Sequence, residues 1–63
     1  MEGFFIEVKL RQSFNLHATL KQAQQEAGAG EAAIIFHRKN GKPWLVTIDA
    51  GDFLEMVKEL FSD

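Results

Sequence analysis

The chain has no cysteine and no tyrosine, and only one proline and one tryptophan among its 63 residues. Without cysteine there is neither a disulfide framework nor a thiolate metal site, a composition compatible with a reducing compartment. His17 and His37 are too few for a zinc cluster. No apolar run approaches the ~20 residues of a membrane-spanning helix, and the opening Met1-Glu2-Gly3 lacks the positive segment of a secretory signal. A cytoplasmic location is the resulting expectation. Positive charge is not in excess: 7 Lys and Arg against 9 Asp and Glu give a net charge of -2. Overall charge therefore announces no nucleic-acid partner, and where the charges lie matters more.

What is present is 46% hydrophobic and 25% charged, the balance of a globular protein. The length predicts one domain over 1–63. A chain this short buries only roughly 60% of its unfolded surface and, lacking a staple, tends to lean on a partner.

The stretch Phe4 to Arg11, FFIEVKLR, alternates with the period of a strand. Phe4, Ile6, Val8 and Leu10 fall on one side, and Phe5, Glu7, Lys9 and Arg11 on the other. Glu7 and Lys9 therefore stand side by side. A carboxylate and an ammonium so placed among large apolar groups can hold a hard cation and a phosphoryl or water oxygen in fixed relation. Ordinary charged dressing of a solvent face produces the same pattern.

After Arg11 the period changes. Leu16, Leu20, Ala23 and Ala27 recur at helical spacing, which predicts a helix from about Asn15 to Ala27 with Ser13 or Asn15 as N-cap. Gly28-Ala29-Gly30 is expected to end it through a left-handed glycine. Two β-rich runs then flank Asn40-Gly41, the pair suited to a type I′ hairpin. A two-residue turn sets His37 opposite Trp44, Phe36 opposite Leu45 and Ile35 opposite Val46. On that register Ala33, Ile35, His37, Trp44, Val46 and Ile48 share one face, and Ile34, Phe36, Leu45 and Thr47 the other. Both faces are apolar, so cover on both is expected, with Trp44 packed under a helix. Asp49 can cap a last helix whose Phe53, Met56, Val57 and Leu60 form an apolar stripe, widened by Leu54 and Phe61.

The fold class that follows is α/β: a three-stranded mixed sheet in the order strand, helix, strand, strand, helix, flanked by two helices. A right-handed crossover makes the first two strands parallel and the third antiparallel to the second. Lys9, Arg11, Arg38, Lys39 and Lys42, five of the seven basic residues, then collect at the carboxyl ends of the first two strands. Glu2, Glu26, Glu31, Asp49 and Asp52 go to the opposite edge. Ligands favour the carboxyl edge of an open sheet, where the first helix also offers its N-terminus to an anion. A phosphate backbone is the partner expected there, with Arg11, Arg38, Lys39 and Lys42 as contacts. Solvated charge at loop ends is the plainer reading of the same cluster. His17 and Lys21, four apart on the first helix, read as a solvated face, and His37 as a ring able to stack on a base.

Ile6-Glu7-Val8-Lys9, Leu20-Lys21-Gln22-Ala23 and the run from Phe36 to Val46 through Pro43-Trp44, in this order of elements, resemble the second half of the PD-(D/E)XK nuclease core. The branch is that of Holliday-junction resolvase-like and phage nucleases, and the likeness runs from Gly3 to about Leu60. It implies a restriction-endonuclease-like half core and a magnesium- or manganese-dependent endonuclease hydrolysing DNA phosphodiesters, branched DNA included. By this resemblance Glu7 and the backbone carbonyl of Val8 ligate the metal, Lys9 orients water or steadies developing charge, and Gln22 faces the site.

Members of the family carry a metal-binding Asp on a strand upstream of Glu-x-Lys, whereas six residues precede Glu7. Glu2 has the wrong strand parity to replace it. Three arrangements stay open: a piece of a longer nuclease, a site completed by another chain, or a fold kept without the chemistry. The alternative function is an inactive oligomeric module that binds DNA or protein. The absent strands would also leave Phe4 to Leu10 with an unpaired edge, so a homo-oligomer is expected, a dimer that extends the sheet through this strand.

Overall fold

The computed structural model describes residues 3–61. Five elements follow one another: β1 (Gly3–Leu10), α1 (Leu16–Glu26), β2 (Glu31–Arg38), β3 (Leu45–Ile48) and α2 (Ala50–Leu60). The strands form one mixed sheet in the order β1-β2-β3, with β1 parallel to β2 and β3 antiparallel to it. This is the α/β arrangement that the periodicities predict, and it leaves β1 at an edge. Glu2, expected at the acidic edge, lies outside the described residues. Among the described residues no helix is long and apolar enough to cross a membrane.

Local chemistry explains both helix starts. The Asn15 carboxamide oxygen accepts the Ala18 N–H at 2.9 Å, so Asn15 is the cap of α1. Asp49 does the same for α2, accepting the Asp52 N–H at 3.1 Å. The end of α1 differs from expectation. Ala27 caps it in an extended conformation, and the left-handed glycine is Gly30, with φ 83, just before β2. Glu31 is the reason. Its carboxylate accepts the Gly28 N–H at 2.6 Å while its own N–H donates to the Gly28 carbonyl at 3.0 Å. These bonds close a local turn and take the donor that a left-handed cap would direct back to the helix.

The hairpin also needs correction. Six residues, 39–44, separate β2 from β3. The Lys42 N–H donates to the Lys39 carbonyl at 3.0 Å. In this turn Gly41 has φ 77, and no described non-glycine residue has positive φ. A type I′ turn needs positive φ at both central positions; a single one at Gly41 suits type II. Pro43 has no N–H to donate, so the ladder starts only at Leu45 and slips by one residue. The pairs are His37 with Leu45, Phe36 with Val46, Ile35 with Thr47 and Ile34 with Ile48. Because strand side chains alternate, the slip moves every β3 residue to the other face.

One face of the sheet therefore carries Phe5, Glu7, Lys9, Ala33, Ile35, His37, Leu45 and Thr47. α1 lies over it. Ala23, Ala33 and Ile35 form the buried core, with Phe5, Phe14 and Leu20 packed against them. On the other face Phe4, Ile6, Val8, Leu10, Phe36 and Val46 are exposed, Ile34 and Ile48 half-buried and Ala32 buried. Cover on both faces was expected. Instead, no residue of α2 is buried. Asp49 alone separates β3 from α2; Asp52 and Glu55 of the helix line a shallow depression with Gly30, Glu31 and Ala32, and Met56 and Val57 are half-buried.

Candidate nucleic-acid interface

The parallel β1–β2 register brings the sequence features into rows. Glu7 pairs with Ile35, Lys9 with His37 and Leu10 with Arg38. Glu7 and Lys9 share the face under α1, and both are half-buried, so the charged row of β1 turns inward while its apolar row faces water. Neither makes a hydrogen bond or an ion pair with another described residue. A half-buried charge without a partner costs stability. Gln22 is exposed on α1, with no hydrogen bond to Glu7 or Lys9 among the described residues. His17 and Lys21 are exposed on the same helix.

At the carboxyl edge the topology gathers the basic residues. Arg11, Arg38, Lys39 and Lys42 surround one cavity of about 370 Å³, whose remaining lining is Phe14, His37, Pro43 and Leu45. Its rim is cationic and its floor apolar and aromatic. Arg11 and Arg38 also line a second depression of about 250 Å³ with Leu10, Gln12 and Asn40. None of the four cations has a carboxylate partner among the described residues.

His37 is fixed from two sides. Its Nε2 lies 2.9 Å from the Thr47 Oγ1, and Phe14 meets its ring edge-on at 5.4 Å. The slipped register makes the first contact possible, because it turns Thr47 to the face of His37. Trp44 is not packed under a helix. It is exposed, with the Arg38 guanidinium 5.6 Å from its ring centre, a distance at which the cation is attracted to the ring face. The Arg38 Nε is buried without a hydrogen-bond partner. That arginine is held by stacking and not by an acceptor.

Phe14 was not singled out in the sequence. The available signal was a large apolar residue immediately before the N-cap Asn15, a position that sets the angle at which the chain enters a helix. The two-residue turn would put Leu45 on the opposite face, and its place in the cavity follows from the slip.

Magnesium and manganese are held by oxygen ligands, usually one or two carboxylates together with substrate oxygens. The described residues contain no group of three His, Asp or Glu that could hold an ion. Glu7 offers one carboxylate, so the described residues fit one corner of such a site and do not by themselves complete it.

No protein-family model matches the chain, and neither a curated protein nor a solved structure is significantly similar to it.

Proposed function

We propose that this chain is a nuclease-like DNA-processing domain, in which the basic cavity grips the phosphate backbone and Glu7 with Lys9 attends the phosphodiester to be cut. The observation that carries this reading is the convergence of Arg11, Arg38, Lys39 and Lys42 on one cavity, one strand away from Lys9 in the Lys9–His37 row. Cations without anionic partners favour a polyanion, and the floor of Phe14 and His37 offers surfaces to an unpaired base, as in a branched substrate.

Hydrolysis requires a further carboxylate from outside the described residues. Magnesium or manganese held by it together with Glu7 and the Val8 carbonyl would supply Lewis acidity. Lys9 would hydrogen-bond a phosphate oxygen or the attacking water, and Gln22 would support the same site from α1. Self-association through the strand Phe4 to Leu10 belongs to this reading, because the outer edge of β1 is unpaired. A second reading, binding without cleavage, is favoured by the cavity itself, whose lining does not include Glu7.

Fluorescence anisotropy with duplex, single-stranded and branched DNA over a salt series tests both. Replacing Arg11, Lys39 and Lys42 by alanine is expected to weaken binding at least about tenfold and to reduce the salt slope by about 3. Failure of the unaltered chain to bind any of these DNAs at low salt would end the proposal. Glu7→Ala separates the two readings: magnesium-dependent cleavage is lost if the acid works in hydrolysis, whereas binding alone is indifferent to it.

A further inference from the structure

The apolar face opposite α1 is too large to be left to water. Phe4, Ile6, Val8 and Leu10 on β1, Phe36 on β2 and Val46 on β3 form an exposed apolar surface beside the buried Ala32 and the half-buried Ile34 and Ile48 of the same face, with Ile6 and Val8 each 55% exposed. The apolar stripe of α2 is also largely open: Phe53, Leu54 and Leu60 are exposed, Met56 and Val57 are only half-buried, and no residue of the helix is fully buried. A helix with such a stripe needs a surface, and a sheet with such a face needs a helix.

The size of the surplus points to a partner of definite extent. A folded monomer of 7.1 kDa is expected to expose about 4100 Å², and this chain exposes 4830 Å². The difference, about 700 Å², is close to the roughly 800 Å² that each partner buries in a standard stable interface. The dimensions agree. The radius of gyration is 12.6 Å, with extents of 40 × 24 × 15 Å, against about 11 Å for a compact chain of this length.

We infer that two copies dock reciprocally about a two-fold axis, the α2 of each lying on the bare sheet face of the other. One chain supplies both halves of the contact, an 11-residue helix of about 16 Å and an open face three strands wide, so a second copy satisfies both needs in one closed, isologous interface. No charged residue lies within the face between Phe4 and Val8, so a polyanion is not its occupant. The inference shares with the reading above only that the chain self-associates: it places the contact on the sheet face and α2 in place of the β1 edge, and it is independent of the chemistry of Glu7 and Lys9.

Sedimentation equilibrium of the full chain across the micromolar range tests it, with a dimer expected. Leu54 and Leu60 are 65% and 72% exposed in one copy, so Leu54→Glu with Leu60→Glu leaves the single-copy fold intact. It is expected to weaken dimerisation by about a hundredfold or more, since each loss occurs twice. Ile6→Glu on the sheet face is expected to do the same.

The decisive step is mixing. The helix variant keeps an intact face and the face variant keeps intact helices, so a mixed dimer retains one of the two contacts while neither variant alone retains any. Association of the mixture above either variant alone supports the reciprocal arrangement. A chain that stays monomeric overturns every form of self-association. A dimer indifferent to the α2 substitutions overturns this one and leaves pairing along the β1 edge, and a mixture no tighter than its components also overturns it.

Discussion

The two faces of the sheet invert what their residues suggest. The row of β1 that carries Glu7 and Lys9 is half-buried beneath α1, whereas the row with nothing polar in it, Phe4 through Leu10, stands in water. Size decides this. The face toward α1 has Ala33 and Ile35 at its centre, and the helix presents Ala23 to them, so small side chains let helix and sheet approach closely enough to exclude water from all three. On the other face only the small Ala32 is buried, whereas Phe4, Ile6, Val8, Leu10, Phe36 and Val46 stay exposed. Burial in this chain follows close approach, and apolar character alone does not secure it.

The largest way to break this contrast is Ile35→Ala. Ile35 is the largest fully buried side chain among the described residues, with no measurable exposure, and its truncation is expected to cost about 2–5 kcal/mol, enough to leave a domain this small substantially unfolded. Urea titration followed by circular dichroism reads it. Asn15→Ala attacks the cover itself. Loss of the bond to the Ala18 N–H is expected to cost about 1 kcal/mol and to speed hydrogen exchange in α1 more than in α2.

Thr47→Val sharpens the assignment of faces. Thr47 lies on the α1 side only in the slipped register, where it meets His37 at 2.9 Å, so losing its hydroxyl is expected to cost about 0.5–1.5 kcal/mol and to shift the His37 ring resonances. An unmoved His37 spectrum would restore the unslipped pairing. The smallest effect is expected from Ile6→Ala on the bare face. Under conditions that keep the chain monomeric its cost should stay within about 0.5 kcal/mol, an order of magnitude below the upper range for Ile35.

The features legible in the sequence are those set by neighbours along the chain. Alternation in FFIEVKLR gives β1 and the shared face of Glu7 and Lys9. Asn15 and Asp49 mark both helix starts by side-chain capping, and the strand, helix, strand succession fixes the parallel pairing. That pairing is enough to bring Arg11, Arg38, Lys39 and Lys42 to one edge. The β2–β3 register was not legible, because Asn40-Gly41 has the composition of a tight turn, and only the missing N–H of Pro43 argues for a longer one. The position of α2 was hidden for another reason. An amphipathic stripe shows that a helix has a side to bury and is silent about where. In the candidate site Phe14 escaped notice because it belongs to a connection with no periodicity of its own.

The connection from Lys39 to Trp44 has a consequence beyond the hairpin it closes. Its residue count selects which two β3 side chains look toward α1 and which two join the open surface. Deleting or adding a single residue there would turn that strand inside out, carrying Thr47 away from His37 and Val46 toward the helix. A change in the most tolerant part of the chain could thus redraw both the aromatic floor of the basic cavity and the outline of the greasy surface, with every strand residue left as it is.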